Sequence, residues 1–133
     1  MNIKSLIKIG IILLILDYIY LSLLGSHFKK EVKNIQGKSL KMRLSGAIFC
    51  YILLIVGLYY FIIKKSEILT KKEIMNNLHQ YIKDAAILGF IIYGVFDATN
   101  HAIFDKWTIK SLIIDSIWGG ILYSLTTYLY FKF

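Results

Sequence analysis

Three aspartates lie within long apolar stretches of this 133-residue chain, at Asp17, Asp97 and Asp115. The second of them is followed closely by further polar side chains, Thr99, Asn100 and His101. Carboxylate, amide and hydroxyl oxygens accept hydrogen bonds and can hold a proton or a cation. Lipid tails offer no such partner, and a charged carboxylate at the centre of a membrane helix costs roughly 2.5–3.5 kcal/mol. We therefore expect these side chains to face inward and to be paired, hydrogen-bonded or protonated.

The apolar stretches predict an all-α integral membrane protein with four transmembrane helices in an antiparallel bundle. Apolar residues make up 57% of the chain, whereas soluble domains contain about 45–50%. Each stretch has the ~20 residues that a hydrocarbon core of about 30 Å requires. The predicted spans are 6–24, 44–63, 84–104 and 109–131, and together they form one domain over 1–133.

The connections constrain how these spans pack. Only residues 105–108 separate spans three and four, so these helices must form a tight antiparallel hairpin. Trp107 in this link is expected to anchor at the level of the lipid headgroups. Thr70 and Glu73 fit a capping box, which predicts a helix that starts near residue 71 and continues into span three. The first connection, 26–43, is either a short interfacial helix or a solvated loop.

Chain direction and helical spacing bring the polar residues together. A rise of about 1.5 Å per residue places all three aspartates in the leaflet nearer the first and third connections. Side chains three and four residues apart share a helical face. The predicted intramembrane polar site comprises Asp17, Asp97, Asn100, Asp115 and Trp118, supported by Tyr93, Thr99, His101 and Gly119. In span two, Gly46, Cys50 and Gly57 share a face, which indicates close helix packing.

Two interpretations of this cluster remain open. Inward polar residues can simply hold membrane helices together, each contact contributing about 0.6 kcal/mol. Ionisable residues inside a membrane are also typical of ligand, proton or ion sites. The convergence of several such residues in one leaflet favours a functional site over structural contacts alone.

The polar motifs also resemble a known family. The stretch "YGVFDATNHAIF" at 93–104, a following tryptophan at 107, and "DSIWGG" at 115–120 resemble the DUF2177 family of predicted membrane proteins. The first span is similar through "LDYIYL" at 16–21. Phe96 stands where the family pattern has tyrosine, and His101 stands where it more often has an apolar residue. The resemblance implies the four-helix fold and the polar site, and it implies no particular chemistry.

Three functions fit the sequence to different degrees. The favoured one is transport or permeation of protons, cations or a small solute, for which a pore would require a homo-oligomer. The alternative is a structural or partner-binding membrane protein whose polar cluster only fixes helix packing. An enzyme acting on lipid or peptide is less favoured, because the motifs of intramembrane aspartyl proteases and the histidine boxes of di-iron enzymes are absent. We therefore assign no catalytic residue, cofactor or metal site.

The net charge of +8 points to the membrane surface. Lysines and arginines lie between the apolar runs, where they would face the lipid bilayer and its anionic headgroups. Nucleic acid is not an expected partner, because no folded basic surface remains once the helices are in lipid. The positive-inside rule leaves the orientation open, since eight lysines and arginines fall on each side.

Overall fold

The computed structural model describes all 133 residues and contains helices joined by short connections. The α-helices are α1 (Ile3–Gln36), α2 (Leu44–Leu58), α3 (Lys71–Asn76), α4 (Leu78–Ile103) and α5 (Ile109–Lys132). After α2 the chain continues through a π-helical turn, Tyr59–Ile63, and a 3-10 turn, Lys64–Ile68. Four helical segments are long and apolar enough to cross a membrane: Ile3–Gln36, Leu44–Ile68, Leu78–Ile103 and Ile109–Lys132. The predicted all-α fold with four spans is therefore confirmed.

The first helix is much longer than its apolar run. Helix α1 continues for twelve residues past the predicted end at 24, so the first connection is neither a separate interfacial helix nor a loop from residue 26. Lysine and glutamate are good helix formers, and the helix therefore does not need to end where the apolar run ends. It ends at Gly37, whose φ of 74° is left-handed and whose N–H donates to the carbonyl of Lys33 at 2.9 Å.

The segment before α4 begins as predicted but is interrupted. Thr70 and Glu73 form the capping box, each side chain accepting from the other residue's backbone N–H. Helix α3 then stops after one and a half turns, because Asn77 departs from helical geometry at φ −113° and ψ 13°. Helix α4 starts at Leu78 instead of continuing from α3.

Helices α4 and α5 form the predicted hairpin, and glycines set their separation. A Cβ atom added to Gly89 would overlap the backbone carbonyl of Gly119, and one added to Gly119 would overlap the carbonyl of Gly89 and the ring of Tyr93. Backbone surfaces therefore touch directly at this crossing, as small residues allow in membrane helices. This contact fixes α4 against α5 at the level just below the polar residues.

Helix α1 packs antiparallel to α5 along its length. Its partners on α5 run in reverse order, from Tyr130 for Ser5 to Trp118 for Asp17. Both chain termini consequently lie at one end of the bundle, which we call the terminal end. The other end holds the α4–α5 turn, residues 104–108, and we call it the hairpin end.

The apolar core occupies mainly the terminal half of the bundle. Its buried members are Ile9, Leu13, Leu54, Leu58, Tyr59, Ile62, Ile63, Tyr81, Ala85, Leu122 and Tyr123. None of residues 44–53 is fully buried, although the half-buried Tyr51 side chain still reaches Asp17 on α1. The predicted close packing of span two holds at Gly57, whose Cβ position lies 3.3 Å from the Tyr123 hydroxyl. It is wrong for Gly46, which has nothing within 4 Å, and for Cys50, which is exposed.

Candidate functional site

Asp17 is buried and both of its carboxylate oxygens are satisfied. The Tyr51 hydroxyl on α2 donates to Oδ2 at 2.5 Å, and the Trp118 indole N–H on α5 donates to Oδ1 at 3.0 Å. Asp17 is only 6% exposed. Each carboxylate oxygen therefore has the hydrogen-bond donor that a buried acceptor needs. It also links three helices at one level of the bundle.

Asp115 lies one helical turn nearer the hairpin end. The Tyr20 hydroxyl on α1 donates to its Oδ1 at 2.9 Å, and Oδ2 has no hydrogen bond within the protein. The Tyr20 ring stacks on Trp118, with centroids 4.5 Å apart and planes 2° from parallel. The two aromatic side chains therefore connect the carboxyl groups of Asp17 and Asp115, each donating to one of them.

Asp97 is fully buried, and neither of its oxygens has a hydrogen-bond partner in the protein. The carboxyl groups of Asp97 and Asp115 are neighbours, and the indole of Trp107 lies beside Asp97. Neither neighbour has the geometry of a hydrogen bond to Asp97, and the Trp107 Nε1 atom and the Ser116 Oγ atom are also unpartnered. An ionised carboxylate in this position would be uncompensated and costly. Both carboxyl oxygens of Asp97 therefore remain available to a hydrogen-bond donor or a cation.

The hairpin places these two carboxyl groups at equal depth. Asp97 lies six residues before the end of α4 and Asp115 six residues after the start of α5, so each is about 9 Å from its helix end. Asp17 lies about one turn deeper, level with Trp118. The structure thus gathers the three predicted aspartates around the stacked Tyr20–Trp118 pair.

An apolar cleft of about 610 Å³ opens between α2 and α4 and reaches Asp115. Its lining residues are Gly46, Phe49, Cys50, Leu53, Leu54, Ile92, Tyr93, Phe96 and Asp115. Gly46 leaves part of the gap between α2 and α4 unfilled, because it has no side chain and nothing lies within 4 Å of its Cβ position. Pockets of 300–1,000 Å³ are typical of small-molecule sites.

The polar residues that follow Asp97 are not gathered with it. Thr99 is exposed, and Asn100 is half-buried and contributes only its backbone carbonyl, which accepts from the Phe104 N–H at 2.8 Å. His101 is exposed, and its Nδ1 atom lies 2.6 Å from the Trp107 carbonyl. The side-chain contacts of Asn100 therefore do not match its predicted membership of the polar site. Asn100 lies to one side of the inward face that Asp97 occupies.

The supporting residues Tyr93 and Gly119 lie next to the site. Tyr93 lines the cleft, and its hydroxyl makes no hydrogen bond within the protein. Gly119 is the crossing point of the hairpin. Trp107, by contrast, is not a headgroup anchor, because it is only 7% exposed and packs between Phe28 and Phe96 with ring centroids 6.2 and 6.1 Å away.

A second polar cluster at the hairpin end was missed in the sequence. Glu31 is only 4% exposed and accepts from the Thr108 N–H and the Ser111 hydroxyl at the start of α5. His27 Nε2 lies 2.8 Å from Ser111 Oγ and 3.2 Å from Glu31 Oε2. Glu31 lies among lysines in the sequence, and a residue in such a charged stretch is expected to be exposed to solvent. The spacing carries the signal, since Asp17 and residues 20, 24, 27 and 31 share one face of α1, on which 17, 20 and 31 are buried and 24 and 27 are half-buried.

Comparison with known proteins agrees with this architecture. The model of the DUF2177 family, described as a predicted membrane protein, matches residues 2–131. The helices and their inward polar residues thus define a multi-pass membrane protein. The chain belongs to the DUF2177 family. No curated protein and no solved structure matches the chain.

Proposed function

We propose that the protein binds a proton or a small monovalent cation at the Asp97–Asp115 pair and moves it within the membrane. The observation that carries the proposal is Asp97, a fully buried carboxyl group with no partner in the protein beside a second carboxyl group. Such a pair needs a positive charge or a shared proton to be stable in a dry environment. The pair has no third His, Cys, Asp or Glu beside it, so the ligand set that a transition-metal ion requires is not completed.

The three aspartates differ in how many of their carboxyl oxygens already have a hydrogen bond within the protein. Asp17 has a donor on each oxygen, so binding a cation would add little to it. Asp115 keeps one oxygen free of hydrogen bonds, and Asp97 keeps both free. We therefore infer that Asp97 and Asp115 bind the ion, whereas Asp17 holds α1, α2 and α5 together around them.

The route across the membrane favours a carrier or an oligomer. The apolar cluster fills the terminal half of a single bundle, so one rigid chain has no continuous polar path from end to end. A bound ion would reach the terminal side only if the helices rearranged or if several copies formed a shared pathway.

The test is ion flux in proteoliposomes that contain an indicator dye for the ion under test: protons, sodium or potassium. Wild type is expected to dissipate an imposed proton, sodium or potassium gradient faster than empty liposomes. Asp97→Asn keeps the shape of the side chain but removes the ionisable group, so its flux should fall to the empty-liposome level. Asp105→Asn is the matched control, because Asp105 is exposed in the α4–α5 turn. Wild-type flux at background for all of these ions would disprove the proposal.

A second candidate function, a structural or partner-binding role, is favoured by the complete hydrogen bonding of Asp17. If the whole cluster were structural, Asp97→Asn would lower the amount of folded protein, and flux per folded molecule would not change. Size-exclusion chromatography of each variant before reconstitution separates these two results.

A further inference from the structure

The cleft between α2 and α4 opens sideways, towards lipid. Phe49 and Phe96 line it and are 62% and 56% exposed, so their side chains flank an opening on the outer surface of the bundle. Leu53, also in the lining, is 54% exposed. Since these segments belong to membrane-spanning helices, this surface faces the hydrocarbon region. A molecule dissolved in the bilayer could therefore enter the cleft without crossing water.

The inner end of the cleft is polar and accepts hydrogen bonds. Asp115 is nine-tenths buried, and its Oδ2 atom is free of hydrogen bonds within the protein. Asp97, its neighbour, is unpartnered and fully buried. The Tyr93 hydroxyl, which also lines the cleft, makes no hydrogen bond. Two carboxyl groups with unused acceptors complement a donor that carries positive charge.

We propose that the cleft binds a lipid-soluble amine, with its hydrocarbon body between α2 and α4 and its ammonium group on Asp115. This inference rests on the proposed cation site and names the class of cation that site receives. A neutral lipid would fill the same volume but would leave the carboxyl groups without a donor of opposite charge. An acidic lipid would bring a negatively charged headgroup to two carboxyl groups, which do not complement it.

Cys50 provides a reporter for occupancy, because it is the single cysteine of the chain and lines the cleft. The experiment measures the rate at which a maleimide labels Cys50 in detergent-solubilised full-length protein, with dodecylamine or dodecanol present. The two probes share a hydrocarbon chain and differ in charge. At an amine concentration about ten times its Kd, mass action leaves roughly one cleft in ten free, so labelling should slow about tenfold. Dodecanol should have little effect.

Variants assign the effect to the carboxyl group and to the cleft. Asp115→Asn should abolish protection by dodecylamine, and Asp105→Asn should retain it. A general effect of the amine on thiol chemistry is measured with Ile48→Cys in a Cys50→Ala background. Ile48 is 52% exposed on the same helix and is not part of the cleft lining, so its labelling should not respond.

A cleft-filling variant keeps the test decisive if Asp115→Asn does not fold. Gly46→Leu adds a side chain where nothing lies within 4 Å, so it should fold and occupy the cleft. Dodecylamine should raise the thermal midpoint of wild type and leave that of Gly46→Leu unchanged. A thermal shift of equal size in both proteins would overturn the proposal.

The results also separate this inference from the proposed function. Equal protection by dodecanol, or no protection by either probe, would overturn amine binding even if proton, sodium or potassium flux is observed. Amine protection that is lost in Asp115→Asn would support the inference even if flux of those ions stays at background. The second outcome would contradict only the proposed movement of small ions.

Discussion

Asp17 and Asp97 have the same side chain and comparable burial, but their surroundings assign them different chemistry. The carboxylate of Asp17 receives a tyrosine hydroxyl and an indole N–H. That of Asp97 receives no hydrogen bond from the protein. Since an unsatisfied buried acceptor costs more than a satisfied one contributes, the two residues should respond differently to substitution. Asp97 is the better candidate for binding an exchangeable charge, and Asp17 for holding the helices.

The first prediction concerns the donor from α2. Tyr51→Phe removes the hydroxyl that satisfies Asp17 Oδ2, and a buried acceptor left unsatisfied should lower the free energy of unfolding by about 1–3 kcal/mol. The measurement is SDS-induced unfolding followed by circular dichroism. Tyr18→Phe is the control, because Tyr18 on α1 is 73% exposed and should tolerate the change.

A double-mutant cycle assigns this loss to the Asp17 contact. In an Asp17→Asn background the tyrosine faces an uncharged partner, so Tyr51→Phe should cost less than it does in wild type. An equal cost in both backgrounds would show that Tyr51 acts through packing and not through Asp17.

The second prediction concerns the crossing of α4 and α5. Gly89→Ala and Gly119→Ala each place a Cβ inside the backbone of the facing helix, which cannot yield as a flexible side chain can. Both variants should separate the hairpin and abolish the folded state. Gly94→Ala is the control on α4, because its Cβ would meet Ser116 Oγ at an ordinary 3.6 Å. Alanine is the better helix former by about 1 kcal/mol, so this control should be as stable as wild type or more stable.

Monodispersity after detergent extraction and the thermal midpoint measure both effects. Folded Gly89→Ala protein with a wild-type midpoint would contradict the close contact of the two backbones.

The third prediction concerns the polar extension of α1. Glu31 accepts from the Thr108 N–H and the Ser111 hydroxyl, and so caps the N-terminus of α5 from another helix. Glu31→Ala should lower the free energy of unfolding by about 1–3 kcal/mol and speed hydrogen exchange at the amides of 108–111. Lys30→Ala changes the neighbouring exposed residue and should do neither. Unchanged exchange in Glu31→Ala would mean that the first turn of α5 does not depend on this cap.

The sequence predicted those features of the fold that depend only on the length and composition of a segment. Hydrophobic runs predicted the four spans, and the four-residue link predicted the hairpin, because both follow from length and composition. The extension of α1 was not predicted, because an apolar run marks the extent of a membrane span and the helix continues beyond it. The contacts of Glu31 with α5 add to its stability, but they follow from the fold and not from a local pattern. The cleft was not predictable either. It depends on how far α2 stands from α4, which is set by packing of the whole bundle and not by any local pattern in α2.

Spacing along one helix also had limited value for the site. It correctly indicated that Asp97 and Asp115 face inward, because lipid offers a carboxyl group no hydrogen-bond partner. It did not separate Asp97 from Asn100, since residues three apart differ by about 60° around the helix. That difference suffices to leave Asn100 half-buried and without a side-chain hydrogen bond.

Contacts between distant parts of the chain fix the arrangement of the whole molecule. The Asn2 N–H donates to the Tyr59 hydroxyl, which in turn donates to Glu67 at 2.8 Å. At the same end, the Ser5 and Tyr130 hydroxyl groups lie 2.7 Å apart. The first and last spans and the π-helical turn are thus joined at the terminal end. The Glu31 cluster joins α1 to the start of α5 at the other end, so α1 and α5 are linked at both ends of the bundle.

The fourth prediction tests this arrangement in a membrane. In a Cys50→Ala background, Lys4→Cys and Lys132→Cys report the terminal end, and Ser39→Cys and Lys106→Cys report the hairpin end. All four positions are exposed, so each cysteine should react with a thiol reagent that reaches it. A membrane-impermeant maleimide applied to sealed vesicles of one orientation should label one pair and not the other. Permeabilised vesicles, in which all four should react, are the control.

The same measurement determines the orientation that the charge count leaves open. Each side of the membrane has eight lysines and arginines, so the positive-inside rule does not favour either orientation. Labelling of Lys4→Cys from the cytoplasmic side would place the hairpin end on the opposite side of the membrane. Asp97 would then lie closer to that opposite side than to the cytoplasm. Labelling of Lys4→Cys and Lys132→Cys from opposite sides would contradict the four-span bundle, because an even number of crossings must return the chain to the side from which it started.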